Sequence, residues 1–153
     1  MFRHYLQPLL APGSVALVGT SVREGSLGRI VARNLEAGGL KGELYPVNPR
    51  HGAVFGRRAY ARLSQLPQPP ELAVVVTPAR TVAGIIADAG AAGVKAAVVL
   101  SSGFGEAGAE GKALEAQTLA AARRGGVRLI GPNCLGVMRT DCGLNATFAE
   151  GAP

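Results

Sequence analysis

The stretch Ser14-Val15-Ala16-Leu17-Val18-Gly19-Thr20-Ser21-Val22-Arg23-Glu24-Gly25-Ser26-Leu27-Gly28-Arg29-Ile30-Val31 decides the fold. Its first five residues form an apolar run without polar alternation, as expected of a strand buried on both faces. A turn with glycines at 19, 25 and 28 follows. Helical spacing then takes over: Leu27, Ile30, Val31, Asn34 and Leu35 share one face, with Arg29, Arg33 and Glu36 opposite. Gly38-Gly39 closes this helix. Strand, glycine turn and helix together make the first βα unit.

The same alternation continues along the chain. Further strands are expected at Glu43-Leu44-Tyr45-Pro46-Val47, Leu72-Ala73-Val74-Val75-Val76, Ala96-Ala97-Val98-Val99-Leu100 and Val127-Arg128-Leu129-Ile130, with a short extra one between Arg57 and Tyr60. Val82, Ile85, Ile86 and Ala89 mark a second helix, with Thr77 as its N-cap, Pro78 in its first turn and Gly90 or Gly93 at its end. A third, alanine-rich helix runs from about Ala109 to Arg124 and stops at Gly125-Gly126, with Arg123 and Arg124 placed to suit its dipole. The stretch to Leu10 reads as a short helix before Pro12-Gly13. The fold class is therefore α/β, a Rossmann-like open, mostly parallel sheet with helices on both faces.

A chain of 153 residues, 48% hydrophobic and 17% charged, is long enough to bury one substantial core without disulfide or metal staples. The expected division is an N-terminal extension over residues 1–12, one domain over 13–150 and the start of a linker at 151–153. Cys134 and Cys142 lack the spacing of a zinc or redox site, and no Cys/His or Asp/Glu cluster suggests a metal. With no signal peptide and no long apolar run, the expectation is a cytoplasmic protein without membrane contact.

The net charge is +6, and most of the surplus lies between Arg23 and Arg62, where eight basic residues face three glutamates. A solvated basic face would account for this, as would a site for a phosphorylated ligand. Nucleic acid is not expected as a partner, because Trp is absent and Tyr45, Phe55 and Tyr60 do not interleave with the basic residues as single-strand platforms require.

The turn comprising Gly19, Thr20, Ser21, Gly25, Ser26 and Gly28 offers close backbone approach and helix-start amides, a combination suited to phosphate. A bare tight turn would use similar residues. The glycine spacing departs from the dinucleotide fingerprint GxGxxG, and no acidic residue follows the second strand to grip a ribose hydroxyl. Asn48, Pro49 and Arg50 stand there instead. An arginine fork suits an additional phosphate, so Arg50 points to a nucleotide carrying one; NADP and coenzyme A (CoA) both qualify. Three other loops leave strand C-termini at the same edge: Thr77, Pro78 and Ala79; Ser101, Ser102, Gly103 and Phe104; and Gly131, Pro132, Asn133, Cys134, Leu135 and Gly136.

Ser14-Val15-Ala16-Leu17-Val18-Gly19-Thr20-Ser21, Tyr45-Pro46-Val47-Asn48-Pro49, Thr77-Pro78-Ala79, Ser102-Gly103-Phe104, Gly131-Pro132-Asn133-Cys134-Leu135-Gly136 and Gly143-Leu144-Asn145-Ala146-Thr147-Phe148 occur in this order. The series resembles the CoA-binding domain of NDP-forming acyl-CoA synthetases, relatives of the succinyl-CoA synthetase α subunit. The resemblance implies that residues 19–28 hold the phosphate-bearing end of CoA and that Asn48, Pro49 and Arg50 flank its 3′-phosphoadenosine. It further implies that the 76–78 and 102–104 loops guide adenine and pantetheine, with Asn133 near the thiol.

Such enzymes join an acid to CoA while ATP becomes ADP and phosphate, through an acyl phosphate and a phosphohistidine on a further domain. His4 and His51 match neither the context nor the place of that histidine and read as surface residues. Cys134 reads as a structural thiol, and Glu106, Glu110 and Glu115 as helix-start carboxylates. The expectation is a CoA-binding module, inactive as a ligase by itself, whose partners are CoA and the remaining domains or subunits of a synthetase. The alternative is an NADP-binding domain of an oxidoreductase or redox sensor. A basic interaction module is the third class.

Overall fold

The computed structural model describes residues 4–150; the expected linker at 151–153 lies outside them. Five strands, β1 (Ser14–Val18), β2 (Glu43–Val47), β5 (Leu72–Val75), β6 (Ala96–Val99) and β7 (Arg128–Ile130), form one parallel sheet in the order β2-β1-β5-β6-β7. Val18 pairs with Val47 on one side and Val75 on the other. Strand order therefore reverses at β1, and the crevice between the C-terminal ends of β1 and β5 is where open α/β sheets take ligands.

Every residue of β1, β5 and β6 is buried, as their unbroken apolar runs require. Successive side chains serve opposite cores. Ala16, Val18, Ala73, Val75, Ala97 and Val99 meet α3 (Ala79–Ala92) and α4 (Ala109–Gly125) through Val82, Ile86, Ala89, Ala121 and Ala122. Val15, Leu17, Val74 and Val98 meet α2 (Leu27–Ala37) through Val31, Ala32 and Leu35, and α1 (Gln7–Leu10) through Leu9. Fully burying an aliphatic side chain of this size contributes roughly 1.5–3 kcal/mol, so these two layers dominate the stability. Leu9, within the stretch 1–12 expected as an extension, belongs to the second core.

The parallel α/β expectation holds, with two corrections. Thr77 does not cap α3: the helix begins at Ala79, with Pro78 at the cap position and no side-chain cap. Thr77 Oγ1 instead lies 2.8 Å from the Thr81 hydroxyl. The short extra strand expected between Arg57 and Tyr60 is present as β4 (Arg57–Arg58), paired antiparallel with β3 (Ala53–Val54), and Tyr60 itself bridges to Val47. A second antiparallel hairpin, β8 (Gly136–Arg139) with β9 (Leu144–Thr147), was not expected as strands at all. It closes the second core with Leu144 and Ala146. Asn34, an apparent intruder in the apolar stripe of α2, donates from Nδ2 to the carbonyls of Thr147 (2.8 Å) and Ala149 (3.0 Å) and so fastens the hairpin.

Candidate functional site

The loop after β1 extends the sheet by one bond, Gly19 N–H to the Val47 carbonyl at 3.0 Å. Thr20 is buried and its hydroxyl donates to the Leu17 carbonyl. Ser26 is the N-cap of α2: its Oγ accepts from Arg29 N–H at 3.3 Å and donates to the Arg23 carbonyl at 2.6 Å. The Arg29 guanidinium returns to the Val22 carbonyl at 2.7 Å and lies 5.9 Å from the Phe55 ring centroid. Ser26→Ala is expected to lower stability by about 1 kcal/mol, read as a fall in thermal midpoint; an unchanged midpoint would show that the cap contributes nothing.

Gly28 is buried at the start of α2. A Cβ there would overlap the Gly19 carbonyl oxygen, so its bare Cα lets the start of α2 pack on the end of β1. Gly19 has φ +100°, and a Cβ on it would press Val76 and Thr77, which brings the loops after β1 and β5 into contact. Asn48 links in the loop after β2. Its Nδ2 donates to the Thr20 carbonyl and its Oδ1 accepts from Arg50 N–H, both at 2.7 Å. Pro49 and Arg50 are exposed on this fastened turn.

On the other side of the crevice, Asn133 N–H donates to the Ser101 carbonyl at 3.0 Å, joining the loops after β7 and β6. Pro132 is partly buried and Asn133 exposed. Ser102 is exposed, while Ser101 is buried with an Oγ that has no hydrogen-bond partner among the described residues. The Phe104 side chain is 0% exposed and belongs to the first core, which leaves its backbone at the loop surface. The loop's shape is held by carboxylates. Glu106 Oε1 accepts from the N–H groups of Gly103 and Phe104, and Glu115 Oε2 accepts from Gly105 N–H. The Gly103 amide, then the amides of Glu106 itself and Phe104, hold the Glu106 carboxyl below the ordinary carboxylate range.

Cys134 is partly buried against the Val99 carbonyl, and burial pushes its thiol up, away from the thiolate a nucleophile needs. His4 and His51 are exposed. Among the described residues no cluster of His, Cys, Asp and Glu could hold a metal, and no helix is long and apolar enough to cross a membrane.

One element of the edge was not foreseen. A cavity of about 280 Å³ opens between the ends of β1 and β2, residues 61–63 and α3. Val18, Val47, Leu63 and Ile85 supply apolar walls; Thr81 and the Arg62–Asp88 pair, 3.1 Å apart, supply polar ones. Its size approaches that of small-molecule sites, roughly 300–1,000 Å³. Its residues are spread over four separate segments, and none carries a local motif.

The profile of the CoA binding domain family matches residues 13–140. The chain belongs to this family. The CoA-binding domain has 39% identity over 148 residues to acetate–CoA ligase (ADP-forming) I of Archaeoglobus fulgidus, covering 97% of this chain and 21% of that protein. It has 41% identity over 147 residues to the α subunit of acetate–CoA ligase (ADP-forming) I of Pyrococcus furiosus, covering 94% and 32%. Among solved structures, the dinucleotide-forming acetyl-coenzyme A synthetase 1 of Ca. Korarchaeum cryptofilum in complex with phosphate and ADP superposes with a TM-score of 0.88 at 39% identity. That match covers 94% of this chain and 30% of the other. The chain thus spans about a fifth to a third of the relatives it matches, and the part it matches is the CoA-binding region of ADP-forming acyl-CoA synthetases. The oxidoreductase alternative is not favoured by these relatives.

Proposed function

We propose that this domain binds CoA as a substrate on behalf of an ADP-forming acid–CoA ligase, working with the synthetase's other domains or subunits in the cytoplasm. In this reading residues 13–150 are the binding unit. The loop of Gly19, Thr20, Ser21, Gly25 and Ser26 receives the pyrophosphate, with Gly28 as the packing residue beneath it. Arg50, presented by Asn48 and Pro49, meets the 3′-phosphate. Val76, Thr77 and Pro78 flank the path between the two halves of the edge, and the neighbouring cavity over Val18 and Val47 suits the adenine ring. Pantetheine crosses Ser101, Ser102, Gly103 and the Phe104 backbone toward Pro132 and Asn133.

The observation that carries this reading is Arg50. It is exposed, on a turn fixed by Asn48 to the glycine loop, at the position where a dinucleotide-binding domain would place a carboxylate. The chain's own residues bind and orient. The acyl phosphate and phosphohistidine chemistry implied for the parent enzyme needs a histidine that neither His4 nor His51 supplies.

Calorimetric titration tests this reading. CoA is expected to bind more tightly than dephospho-CoA by roughly tenfold, the low end of a charge-assisted contact at an open surface, and Arg50→Ala is expected to erase the difference. Equal affinity of the unaltered chain for both ligands would remove Arg50 from the site, and binding of NADPH but not CoA would overturn the reading altogether.

A further inference from the structure

The loop after β6 carries three consecutive backbone N–H groups already engaged by carboxylates: Gly103 and Phe104 by one oxygen of Glu106, and Gly105 by Glu115 at 3.0 Å. Convergent backbone amides in a glycine-rich loop are an anion seat. The loop after β1 differs. Among the described residues nothing accepts from the N–H groups of Ser21 and Gly25, although that loop is glycine-rich too and lies at the same sheet edge. The two halves of the edge therefore differ in what they offer a phosphate: open amides after β1, and amides filled by the chain's own negative charge after β6.

The filling is built in rather than incidental. The 102–104 backbone cannot drift from Glu106, because the Phe104 side chain is fully buried and α4 sits directly behind it; a Cβ on Gly111 would overlap the Phe104 carbonyl oxygen. On the opposite side, a Cβ added to Gly103 would lie 3.3 Å from the Ala79 side chain. Glu106 itself is exposed at the loop surface.

We propose that Glu106 is a positioning and anion-excluding residue of the CoA site: its carboxylate shapes the loop after β6 and denies that loop's amides to phosphate. The ligand's anionic end is thereby confined to the loop after β1 and Arg50, and only an uncharged arm can cross residues 101–104. This rests on the CoA reading of the edge.

The test uses the whole chain, labelled with ¹⁵N, and inorganic phosphate as the probe. In the unaltered protein, phosphate is expected to shift the amide resonances of Ser21 and Gly25 and leave Gly103 and Phe104 unmoved. In Glu106→Ala the latter two are expected to respond and saturate, and the Kd for CoA to rise roughly tenfold, as for loss of a hydrogen bond to a charged group. Glu106→Gln retains an acceptor without the charge. It is expected to keep the fold and to give an intermediate CoA affinity with a weaker phosphate response at Gly103 and Phe104 than the alanine variant, and it carries the test should the alanine variant unfold. A folded variant whose Gly103 and Phe104 amides ignore phosphate, or whose CoA affinity matches the unaltered chain, overturns the proposal. Failure of the unaltered chain to bind CoA overturns the reading of the site itself, and does so by a signal separate from the variants' phosphate response.

Discussion

Phe104→Ala is expected to cost about 3–5 kcal/mol of stability, the range for truncating a fully buried aromatic. Domains of this kind hold a total of about 5–15 kcal/mol, so the variant should show a sharply lowered denaturant midpoint and a partly unfolded population at ambient temperature. The cause is position. Phe104 stands in a loop at the candidate site, yet its ring is 0% exposed among residues such as Val82, Val99 and Ala121. Phe104→Leu keeps most of the volume and should lose far less. Chemical denaturation distinguishes the two roles open to this residue: an alanine variant with unaltered stability and lost CoA affinity would return the ring to the ligand and overturn the assignment to the core.

Gly28→Ala is expected to cost about 3 kcal/mol, at the upper end of overpacking penalties, and to weaken CoA binding in the same step. The added methyl meets the Gly19 carbonyl oxygen, a backbone group that cannot rotate away. Relief requires the start of α2 to lift from the end of β1. That displaces Ser26, whose Oγ caps the helix, and Arg29, whose guanidinium ties the helix to the Val22 carbonyl. A calorimetric titration beside a thermal melt reads both effects. A variant with wild-type midpoint and wild-type affinity would mean that the helix and strand tolerate separation.

Much of this arrangement is legible in the chain itself, for physical reasons particular to each element. Strands buried on both faces leave no room for polar alternation, so Val15–Val18, Leu72–Val75 and Ala96–Val99 announce themselves as unbroken apolar runs. Gly19, Gly93 and Gly126 in turns and Gly28 in the first turn of α2 mark where elements end or touch. Arg50 is legible because it replaces a residue of opposite charge at a defined place after the second strand. The misreadings have equally definite causes. Residue type does not say which way a side chain turns, so Phe104 reads as a loop residue until its burial is seen. Thr77 carries a capping side chain, but Pro78, at φ −54° and ψ 141°, takes the cap position itself and starts the helix one residue later. The hairpin of β8 and β9 is concealed because Asn145 and Thr147 are polar yet buried, their polarity satisfied by the bond between the Thr147 hydroxyl and Asn145 Oδ1 at 2.7 Å. The cavity over Val18 and Val47 exists only once the four segments lining it have converged.

The bond from Asn34 to the carbonyls of Thr147 and Ala149 spans 113 and 115 positions, and it bears on how the domain is made. As the polypeptide emerges from the ribosome at about 5–20 residues per second, β1 and α2 are available early, but the core beneath α2 lacks Leu144 and Ala146 until nearly all of this domain has been synthesised. The opposite layer can close sooner, since its most distant member is Val127. The nascent domain therefore passes through an interval with one side sealed and the other greasy and unshielded, and a ribosome stalled before residue 144 would present that face to chaperones.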